Sequence, residues 1–313
     1  MFFGDGDGFV SCSCGRRHWG KHGAAGLLLT DPDRGVLLQR RAWWLQHGRT
    51  WAVPGGAMRG DETAERAALR EAAEEAGIPA DAVRVTAASI DDHGSWRYTT
   101  VLAAVRAPVR QRARSPESSK LAWVPAREVV RYRLQRDFAA AWPALRAQLG
   151  RELVLLVDGR AVPGQVPARR TGQQGRPQPA CASEVAEFLP WLRDDLALLR
   201  QYGIAARAVG LDQGTGWWWW PRVVLVVPPG AEPHGTRDGV TVVTGGKGEG
   251  ELLSRLDAAG PGDHRVVVTG DDREGALARE RGAGVLTPAE LDQLLSDLPP
   301  DTAHRAASPR DTL

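Results

Sequence analysis

Short apolar runs separated by turn residues dominate the first half of the chain. Residues 24–30 and 36–41 predict two strands, and the DPDRG sequence between them predicts a turn. Residues 62–76 are rich in Ala, Glu, Arg and Leu, which favour helices, and Gly77 followed by Pro79 ends that helix. Further strands are predicted at residues 83–90, 98–107 and 121–124, and a second helix at residues 137–150.

Strand-like and helix-like segments alternate in the second half. Residues 151–159 are almost continuously apolar, which is typical of a strand buried on both faces. Alternation of this kind predicts a parallel sheet flanked by helices. The other strands are expected at residues 204–210, 222–228, 239–244, 264–270 and 283–286, and the helices at residues 184–203, 251–260, 273–282 and 288–298. Residues 163–182 and 299–313 have the polar or Pro- and Gly-rich composition of a mobile loop and a disordered tail.

Length and composition place the chain in a broad class. Its 313 residues predict two domains, which we place at residues 1–150 and 151–298. The net charge of +2 is too small to indicate nucleic-acid binding by itself. Three cysteines argue against a disulfide framework and favour a reducing compartment. No apolar run reaches the roughly 18 residues of a membrane span, and the N-terminus does not resemble a signal peptide. We therefore expect a cytoplasmic protein that does not bind membranes.

Three glutamates, Glu71, Glu74 and Glu75, lie three and four residues apart in the first predicted helix. This spacing puts their side chains on one face, where like charges repel each other. Such a cluster is either a solvent-exposed acidic face or the ligand set of a cation. Mg²⁺ prefers oxygen ligands and is commonly shared between protein carboxylates and substrate phosphates. Gly55 and Gly56 precede the helix and permit a tight turn that exposes a backbone carbonyl.

The spacing around these glutamates resembles the Nudix box, G-x5-E-x7-R-E-U-x-E-E-x-G-U, in which U is an apolar residue. Every fixed position is matched, by Gly56, Glu62, Arg70, Glu71, Glu74, Glu75 and Gly77. The chain is therefore similar to a MutT-like Nudix hydrolase over about residues 20–148. The resemblance implies an α/β/α sandwich with a mixed sheet, and hydrolysis of a nucleoside diphosphate linked to another group. It also implies Mg²⁺ or Mn²⁺ as the cofactor.

The same resemblance implies a role for individual residues of the box. Arg70 corresponds to a residue that orients the carboxylates, and Glu62 corresponds to a structural carboxylate behind them. One of the metal-binding glutamates would also act as the general base. The residues that correspond to metal ligands are Gly56, through its carbonyl, and Glu71, Glu74 and Glu75.

Residues outside the box extend this predicted site. Glu117 lies six residues before a tryptophan, an offset at which some MutT-like relatives carry a glutamate near the metal. The alternative for Glu117 is an exposed loop position. Arg40 and Arg41 could contact phosphates, although alternation along a strand turns at most one of them inward. Trp43 and Trp44 are candidates for stacking on a nucleobase, or for a simple lid.

Cysteine and histidine residues cluster near the N-terminus, at Cys12, Cys14, His18 and His22. Such side chains at short spacing suggest a zinc site. However, C-x-C is tighter than the usual C-x2-C, and no second cysteine pair follows. The alternative is a strand or loop at the mouth of the substrate pocket, where His18 would contact the substrate.

Acidic residues at the expected strand ends indicate a second site, because the carboxyl ends of parallel strands form the functional edge of an α/β sheet. These residues are Asp158, Glu249, Asp271 and Asp272. The pattern resembles the PIN/NYN-like nucleases over about residues 153–297 and implies a Rossmann-like domain that could bind nucleic acid. The alternative is an inactive binding or oligomerisation module, because VDGRAV and GKGEGE depart from that family's pattern, and Asp271 or Asp272 could simply cap a helix.

A run of four tryptophans, Trp217 to Trp220, is unusual. Alternation along a strand would bury two of them and expose two. Exposed tryptophans mark binding surfaces, so stacking on single-stranded RNA and a homodimer interface both stay open.

These observations together predict a two-domain α/β enzyme that hydrolyses a nucleoside triphosphate, normal or oxidised, to a monophosphate and pyrophosphate. Nucleotide sugars and dinucleotides are the next choices of substrate. The competing hypothesis is an RNA-binding or RNA-processing protein, in which the second domain carries the main activity and the first domain senses a nucleotide.

Overall fold

The computed structural model describes residues 4–161, 182–211, 216–231, 235–237, 239–245, 250–260 and 262–298. The chain divides into two compact units. The first comprises the chain up to Glu152 and two short later segments, one of which contains Trp217–Trp219. The second unit begins at Leu153. Glu249, the predicted tail and all of the predicted loop except Ala182 lie outside the described residues.

The secondary-structure elements follow the predicted order. In the described ranges the strands are β1 (Phe9–Ser11), β2 (Arg17–Trp19), β3 (Ala24–Asp31), β4 (Gly35–Arg41), β5 (Trp51–Ala52), β6 (Gly55–Ala57), β7 (Val83–Asp92), β8 (Arg97–Val105), β9 (Ser118–Val124), β10 (Leu153–Asp158), β11 (Ile204–Ala205), β12 (Trp217–Trp219), β13 (Arg222–Val227), β14 (Gly235–Arg237), β15 (Val240–Thr244), β16 (His264–Val268) and β17 (Gly284–Leu286). The α-helices there are α1 (Ala64–Ala76), α2 (Arg136–Ala147), α3 (Ala182–Tyr202), α4 (Glu251–Asp257), α5 (Asp272–Glu280) and α6 (Pro288–Ser296).

The predicted strand at residues 204–210 is wrong over most of its length. Only β11 is extended, and a 3₁₀ helix, Ala206–Val209, follows it. Alanine, which makes up much of this stretch, has a low strand preference. The predicted loop is also one residue too long, because Ala182 already belongs to α3.

The first unit is built around a mixed sheet that includes the strand order β12-β7-β8-β3-β4-β5. Strand β3 runs parallel to β8 and antiparallel to β4, which confirms the predicted mixed sheet. Two further strands join it, since β6 pairs with β3 and β9 pairs with β4. The apolar run of β3 is buried along most of its length, and β1 and β2 form a separate two-stranded sheet.

Helix α1 begins and ends at the residues that its sequence signals favour. The Thr63 side chain caps the first turn by accepting a hydrogen bond from the Arg66 backbone N–H. Gly77 ends the helix in the left-handed conformation, with φ of 69°. The helix packs on β3 and β6 through small buried side chains, at Ala67, Ala68, Ala72 and Ala76. Because these side chains are short, α1 lies close to the sheet, and its glutamates reach the backbone of β6.

The tryptophan run extends the first sheet, although the sequence places it within residues 151–298. Trp217–Trp219 pairs antiparallel with β7, opposite Ala87, Ala88 and Ser89. Trp217 and Trp219 are buried with ring centroids 6.3 Å apart, whereas Trp218 is 36% exposed. The predicted alternation is therefore present, and two of these side chains serve as packing for the sheet.

The second unit contains a six-stranded sheet with the order β14-β15-β13-β10-β16-β17. Strands β15, β13, β10, β16 and β17 are parallel, and β14 pairs antiparallel at the edge. Helices α3 to α6 pack on this sheet, and β10 is buried along its whole length. The predicted Rossmann-like arrangement is confirmed. None of the helices in the described ranges combines the length and the apolar character needed to cross a membrane.

Candidate active site

Arg70 joins the carboxylates of α1 into one hydrogen-bonded group. Its guanidinium donates to Glu62 Oε1 at 2.9 Å, to Glu71 Oε1 at 2.6 Å and to Glu74 Oε2 at 3.4 Å. It also donates to the Ala57 carbonyl of β6 at 3.0 Å. The hydrogen bond from Arg70 lowers the pKa of Glu62, and Glu62 in turn raises the pKa of Arg70. Arg70 therefore fixes the directions of three carboxylates relative to the sheet.

Glu75 is the buried member of the group, with 5% of its surface exposed. The side-chain amide of Gln39 on β4 donates to Glu75 Oε1 at 3.1 Å, and the Gly55 N–H donates to Oε2 at 2.9 Å. Burial raises the pKa of Glu75 to about 7, and the charges of Glu71 and Glu117 add to this increase. The two hydrogen bonds act in the opposite direction. A carboxylate with this pKa can both hold and release a proton near neutral pH.

Glu71 lies between Arg70 and the backbone of β6. Burial raises its pKa, as do the charges of Glu74 and Glu117, whereas the hydrogen bond from Arg70 lowers it. A side chain at Gly56 would bring its Cβ within 2.6 Å of Glu71 Oε1. A side chain at this position would displace the Glu71 carboxylate, so glycine allows the backbone of β6 to lie close to it.

Glu117, the candidate carboxylate outside the box, lies close enough for its charge to act on Glu71 and Glu75. It is partly buried, and its charge raises the pKa values of both Glu71 and Glu75. Its carbonyl accepts a hydrogen bond from the Ala42 N–H, which joins the start of β9 to the end of β4. The acidic group thus receives side chains from α1 and from the segment before β9.

Of the two candidate arginines, Arg41 is the one whose charge acts near the acidic group. Its charge lowers the pKa of Tyr98, which burial raises to about 12, while Glu75 and Glu71 raise it further. The charges of Arg41 and of the two glutamates therefore all act on Tyr98. The β4–β9 pairing is irregular between Arg40 and Arg41, so simple strand alternation does not decide which arginine points inward.

Trp43 and Trp44 lie in the loop that follows β4, with 69% and 53% of their surfaces exposed. Their rings contact each other edge to face, with centroids 5.7 Å apart. Trp51 lies in β5, directly after this loop. Its ring packs on that of Tyr132, with the ring centroids 5.1 Å apart. The loop after β4 therefore presents two aromatic rings that are available to a ligand.

Comparison with known proteins supports the motif on which the site rests. The NUDIX domain family matches residues 20–147. A putative 8-oxo-dGTP diphosphatase 3 of Mycobacterium tuberculosis is 42% identical over 153 residues, which cover 46% of this chain and 70% of that protein. The chain belongs to the Nudix hydrolase family.

Two further relatives match the same Nudix part of the chain. A nucleoside triphosphate pyrophosphatase/Nudix hydrolase fusion protein of Bifidobacterium longum is 41% identical over 152 residues, 46% of this chain. The match spans about a third, 32%, of that longer protein. The crystal structure of a Nudix hydrolase from M. smegmatis, RenU, has 44% sequence identity and a TM-score of 0.41, and covers 45% of this chain and 93% of RenU.

The N-terminal cysteine and histidine residues gather in the β1–β2 hairpin ahead of the Nudix match. Ligand atoms of Cys12, Cys14 and His18 all lie within 4.8 Å of one another. His22 does not join them, because it lies near Asp5, whose pKa it lowers. His18, which was predicted to contact the substrate, therefore lies beside Cys12 and Cys14. Its ring stacks on that of Trp96, with the ring centroids 4.1 Å apart.

The second unit has a cavity of about 200 Å³ at the carboxyl ends of its parallel strands. Asp158 lines it but is paired with Arg160, whose Nε lies 3.1 Å from Asp158 Oδ1. Asp271 caps α5 by accepting from the Glu274 N–H, and Asp272 is an exposed first residue of that helix. Asp271 thus caps α5, as the helix-cap alternative predicts. Burial raises the pKa of Glu274, and the charges of Asp158 and Asp271 raise it further. Glu249 lies outside the described residues, so the predicted four-residue acidic site stays a prediction.

Three residues near the acidic group of α1 or in the cavity of the second unit were not predicted from the sequence. Gln39 is a polar residue within the apolar strand β4, which is a signal for a buried hydrogen bond. Glu274 lines the cavity of the second unit and accepts from Thr269 Oγ1 at 2.8 Å. Glu274 lies three residues after the cap residue Asp271, at the capping-box position. A glutamate there is expected to be exposed, so the sequence does not indicate that Glu274 is buried. Nothing local in the sequence indicates that Tyr98 faces the glutamates of α1.

Proposed function

We propose that this Nudix protein hydrolyses a nucleoside triphosphate to a nucleoside monophosphate and pyrophosphate, with Mg²⁺ or Mn²⁺ as the cofactor. The observation that carries the proposal is that Arg70 joins Glu71 and Glu74 on α1, while the charge of Glu71 acts on buried Glu75 one turn further along the helix. Two of these carboxylates have raised pKa values because they are buried near like charges. A bound cation would relieve both the burial cost and the repulsion.

The residues present fit a hard divalent cation. Mg²⁺ and Mn²⁺ prefer oxygen ligands, and the group supplies carboxylate oxygens from α1 beside the backbone of β6. The close approach of Gly56 to Glu71 places a backbone carbonyl donor in the same neighbourhood. We assign the metal to the Gly56 carbonyl, Glu71, Glu74 and Glu75. When bound, the metal supplies charge stabilisation at the phosphoryl oxygens and makes its bound water more acidic.

The protein's own groups would orient the substrate and move the proton. Arg70 holds Glu71 and Glu74 in fixed directions, so that little reorganisation is needed when substrate binds. Buried Glu75, which the Gln39 amide and the Gly55 N–H hold in place, is suited to accept a proton from the attacking water. Arg41 offers a positive charge on the same side as Tyr98, where it can contact a phosphate of the substrate. Glu117 adds a further carboxylate to this group.

A nucleoside triphosphate, normal or oxidised at the base, is the proposed substrate. Two relatives support this class by their names, which are putative 8-oxo-dGTP diphosphatase 3 and nucleoside triphosphate pyrophosphatase/Nudix hydrolase fusion protein. The exposed rings of Trp43 and Trp44 support it from the structure, because aromatic faces stack on nucleobases. A substrate without a base would offer nothing that stacks on the exposed faces of these two rings.

The test is a substrate panel with the purified full chain. Normal and oxidised (d)NTPs, nucleotide sugars and dinucleotides are incubated with Mg²⁺, and the products are separated by chromatography. We expect a triphosphate to give a monophosphate and pyrophosphate, with the highest kcat/KM of the panel. Release of monophosphates from a nucleotide sugar or a dinucleotide, with no turnover of triphosphates, would contradict the proposed substrate class while keeping the Nudix chemistry.

A further inference from the structure

The β1–β2 hairpin carries a second set of ligand-type side chains, separate from the glutamates of α1. Val10 pairs with His18 in this hairpin, and Cys12, two residues after Val10, follows on the same side. Cys14 belongs to the turn, in which Gly15 adopts a left-handed conformation with φ of 80°. Strand alternation and a tight turn thus direct two thiols and one imidazole to a common point.

The distances within this group suit coordination of one ion. Cys14 Sγ and His18 Nε2 are 3.2 Å apart, and the ligand atoms of Cys12, Cys14 and His18 lie within 4.8 Å of one another. Zinc–sulfur bonds of about 2.3 Å and zinc–nitrogen bonds of about 2.0–2.1 Å place neighbouring ligand atoms roughly 3.5–4 Å apart around a tetrahedral ion. Small movements of these three side chains would therefore be enough for all of them to bind one zinc ion.

Residues of the turn between β7 and β8 hold two of these side chains in place. The thiol of Cys12 donates to the His93 carbonyl at 3.3 Å and accepts from Ser95 Oγ at 3.4 Å. The His18 ring stacks on Trp96 at 4.1 Å and lies 4.7 Å from the ring of His93. The hydrogen bond from Ser95 could persist to a zinc-bound Cys12 thiolate, whereas the bond to the His93 carbonyl would be lost with the thiol proton. Neighbours that donate to or stack on the ligands are typical of metal sites.

The hairpin itself gives a physical reason for an ion. Each of its strands has three residues, and the two strands form a sheet of their own. A two-stranded sheet of this length is marginally stable in water. Its packing includes a small cluster in which Cys12, Ala24 and Trp96 are the buried members. A metal that links both strands through the turn would stabilise the hairpin further.

We propose that Cys12, Cys14 and His18 bind a zinc ion that stabilises the β1–β2 hairpin. Thiolate and imidazole ligands select zinc, whereas the oxygen ligands of the glutamate group select magnesium or manganese. Binding displaces the protons of the two thiols to solvent, and no electrons are transferred. Three protein ligands leave the fourth position of a tetrahedral ion to water.

Metal analysis of the full chain, purified without chelators and dialysed, tests this proposal. We expect one zinc per chain in the wild type by mass spectrometry. Cys14→Ser and His18→Ala should each reduce the zinc content at least severalfold. Cys181→Ser serves as the matched control and should retain the zinc. Cys14 is exposed, so its replacement leaves the packed cluster intact, and circular dichroism of each variant checks that it is folded.

A second readout uses cobalt in place of zinc. The wild type loaded with Co²⁺ should show the visible absorption of thiolate-coordinated tetrahedral cobalt, and Cys14→Ser should weaken it. The proposal is overturned by wild-type protein without bound zinc, or by folded variants that retain it. A Cys12–Cys14 disulfide, detected as an intact mass lower by two hydrogens that reduction restores, would also overturn it, because oxidised thiols cannot bind zinc. None of these results depends on nucleotide hydrolysis.

Discussion

The side-chain amide of Gln39 on β4 donates a hydrogen bond of 3.1 Å to the buried carboxylate of Glu75 on α1. This contact joins the central sheet to the helix that carries the acidic group. It also stabilises the ionised form of Glu75, whose pKa burial raises to about 7. The protonation of Glu75 is therefore set by a balance between burial and this hydrogen bond.

Replacing Gln39 by Leu should raise the pKa of Glu75 further, because the opposing hydrogen bond is lost while the burial remains. The ionised form would then be populated only at higher pH. Because Mg²⁺ competes with the proton on Glu75, we expect the acidic limb of the pH profile of Mg²⁺ binding to move to higher pH. The apparent affinity for Mg²⁺ near neutral pH, measured by titrating the activity with Mg²⁺, should fall by about tenfold or more. Gln201→Leu, an exposed change on α3, is the control. An unchanged pH profile in Gln39→Leu would show that this contact does not tune Glu75.

The stability of the metal-free protein should depend on pH through Glu75. Its folded pKa of about 7 lies above the value of 4.5 for an unperturbed glutamate. Between these values the folded protein therefore holds a proton that the unfolded chain has released. The free energy of unfolding therefore falls as pH rises from about 4.5 to about 7. Glu75→Gln removes the buried charge, and we expect it to be more stable than wild type by roughly 1–3 kcal/mol at pH above 7.

Urea denaturation in EDTA at several pH values measures this difference. Near the lower end of the window Glu75 is protonated in the folded wild type, so the two proteins should converge. Gln39 can adapt to the new amide, because its own Oε1 is buried without a hydrogen-bond partner and can accept after the side-chain amide flips. A variant that is less stable than wild type throughout the range would refute the buried-charge explanation.

Arg70→Lys should destabilise the fold and reduce hydrolysis together. Lysine lacks the planar fork with which Arg70 reaches Glu62, Glu71 and the Ala57 carbonyl. Two poorly exposed carboxylates would lose their partner, so we expect a loss of about 1–3 kcal/mol in the free energy of unfolding. Arg127→Lys, at an arginine whose side chain is 79% exposed, makes the same chemical change and should have little effect. Equal stabilities of the two variants would contradict the orienting role.

Gly56→Ala should abolish most of the activity while the protein stays folded. The new Cβ would lie 2.6 Å from Glu71 Oε1, which forces the carboxylate away from β6. We expect kcat to fall by about a hundredfold or more, because small displacements of catalytic groups have large kinetic effects. Gly262→Ala is the matched control, since none of the residues that the structure describes lies within 4 Å of a Cβ there. Wild-type turnover in Gly56→Ala would exclude the tight packing of Glu71 from the mechanism.

Trp43→Ala and Trp44→Ala should raise KM with little change in kcat, if one of these rings stacks on the base. Loss of base stacking is worth about 1–3 kcal/mol, or a KM increase of roughly fivefold to a hundredfold. Trp218→Ala, at a tryptophan that is partly exposed on β12, serves as the control for removing an indole. Unchanged KM in both loop variants would assign base recognition to other residues.

The acidic group was predictable because it is local. Glu71, Glu74 and Glu75 share a helix face by their spacing, and the helix is bounded by signals of its own, at Thr63 and Gly77. No tertiary information is needed to place these residues together. The same reasoning applies to the strand and helix alternation of the second unit, which predicts the parallel sheet.

The remaining features depend on contacts between distant parts of the chain. Gln39 meets Glu75 across 36 positions, and the tryptophan strand β12 pairs with β7 from far along the sequence. The periodicity of apolar residues along a strand indicates which positions are buried. It does not indicate which residues they contact. The cysteine cluster is intermediate, because the sequence shows the candidates but only the fold separates His22 from the other three.

The most direct test of the account is pyrophosphate release from a nucleoside triphosphate by wild type and Glu75→Gln, measured side by side with and without Mg²⁺. We predict turnover by the wild type that requires the metal, and a loss of several orders of magnitude in Glu75→Gln, with unchanged circular dichroism. Hydrolysis by Glu75→Gln at the wild-type rate would contradict the assignment of the α1 glutamates as the catalytic group.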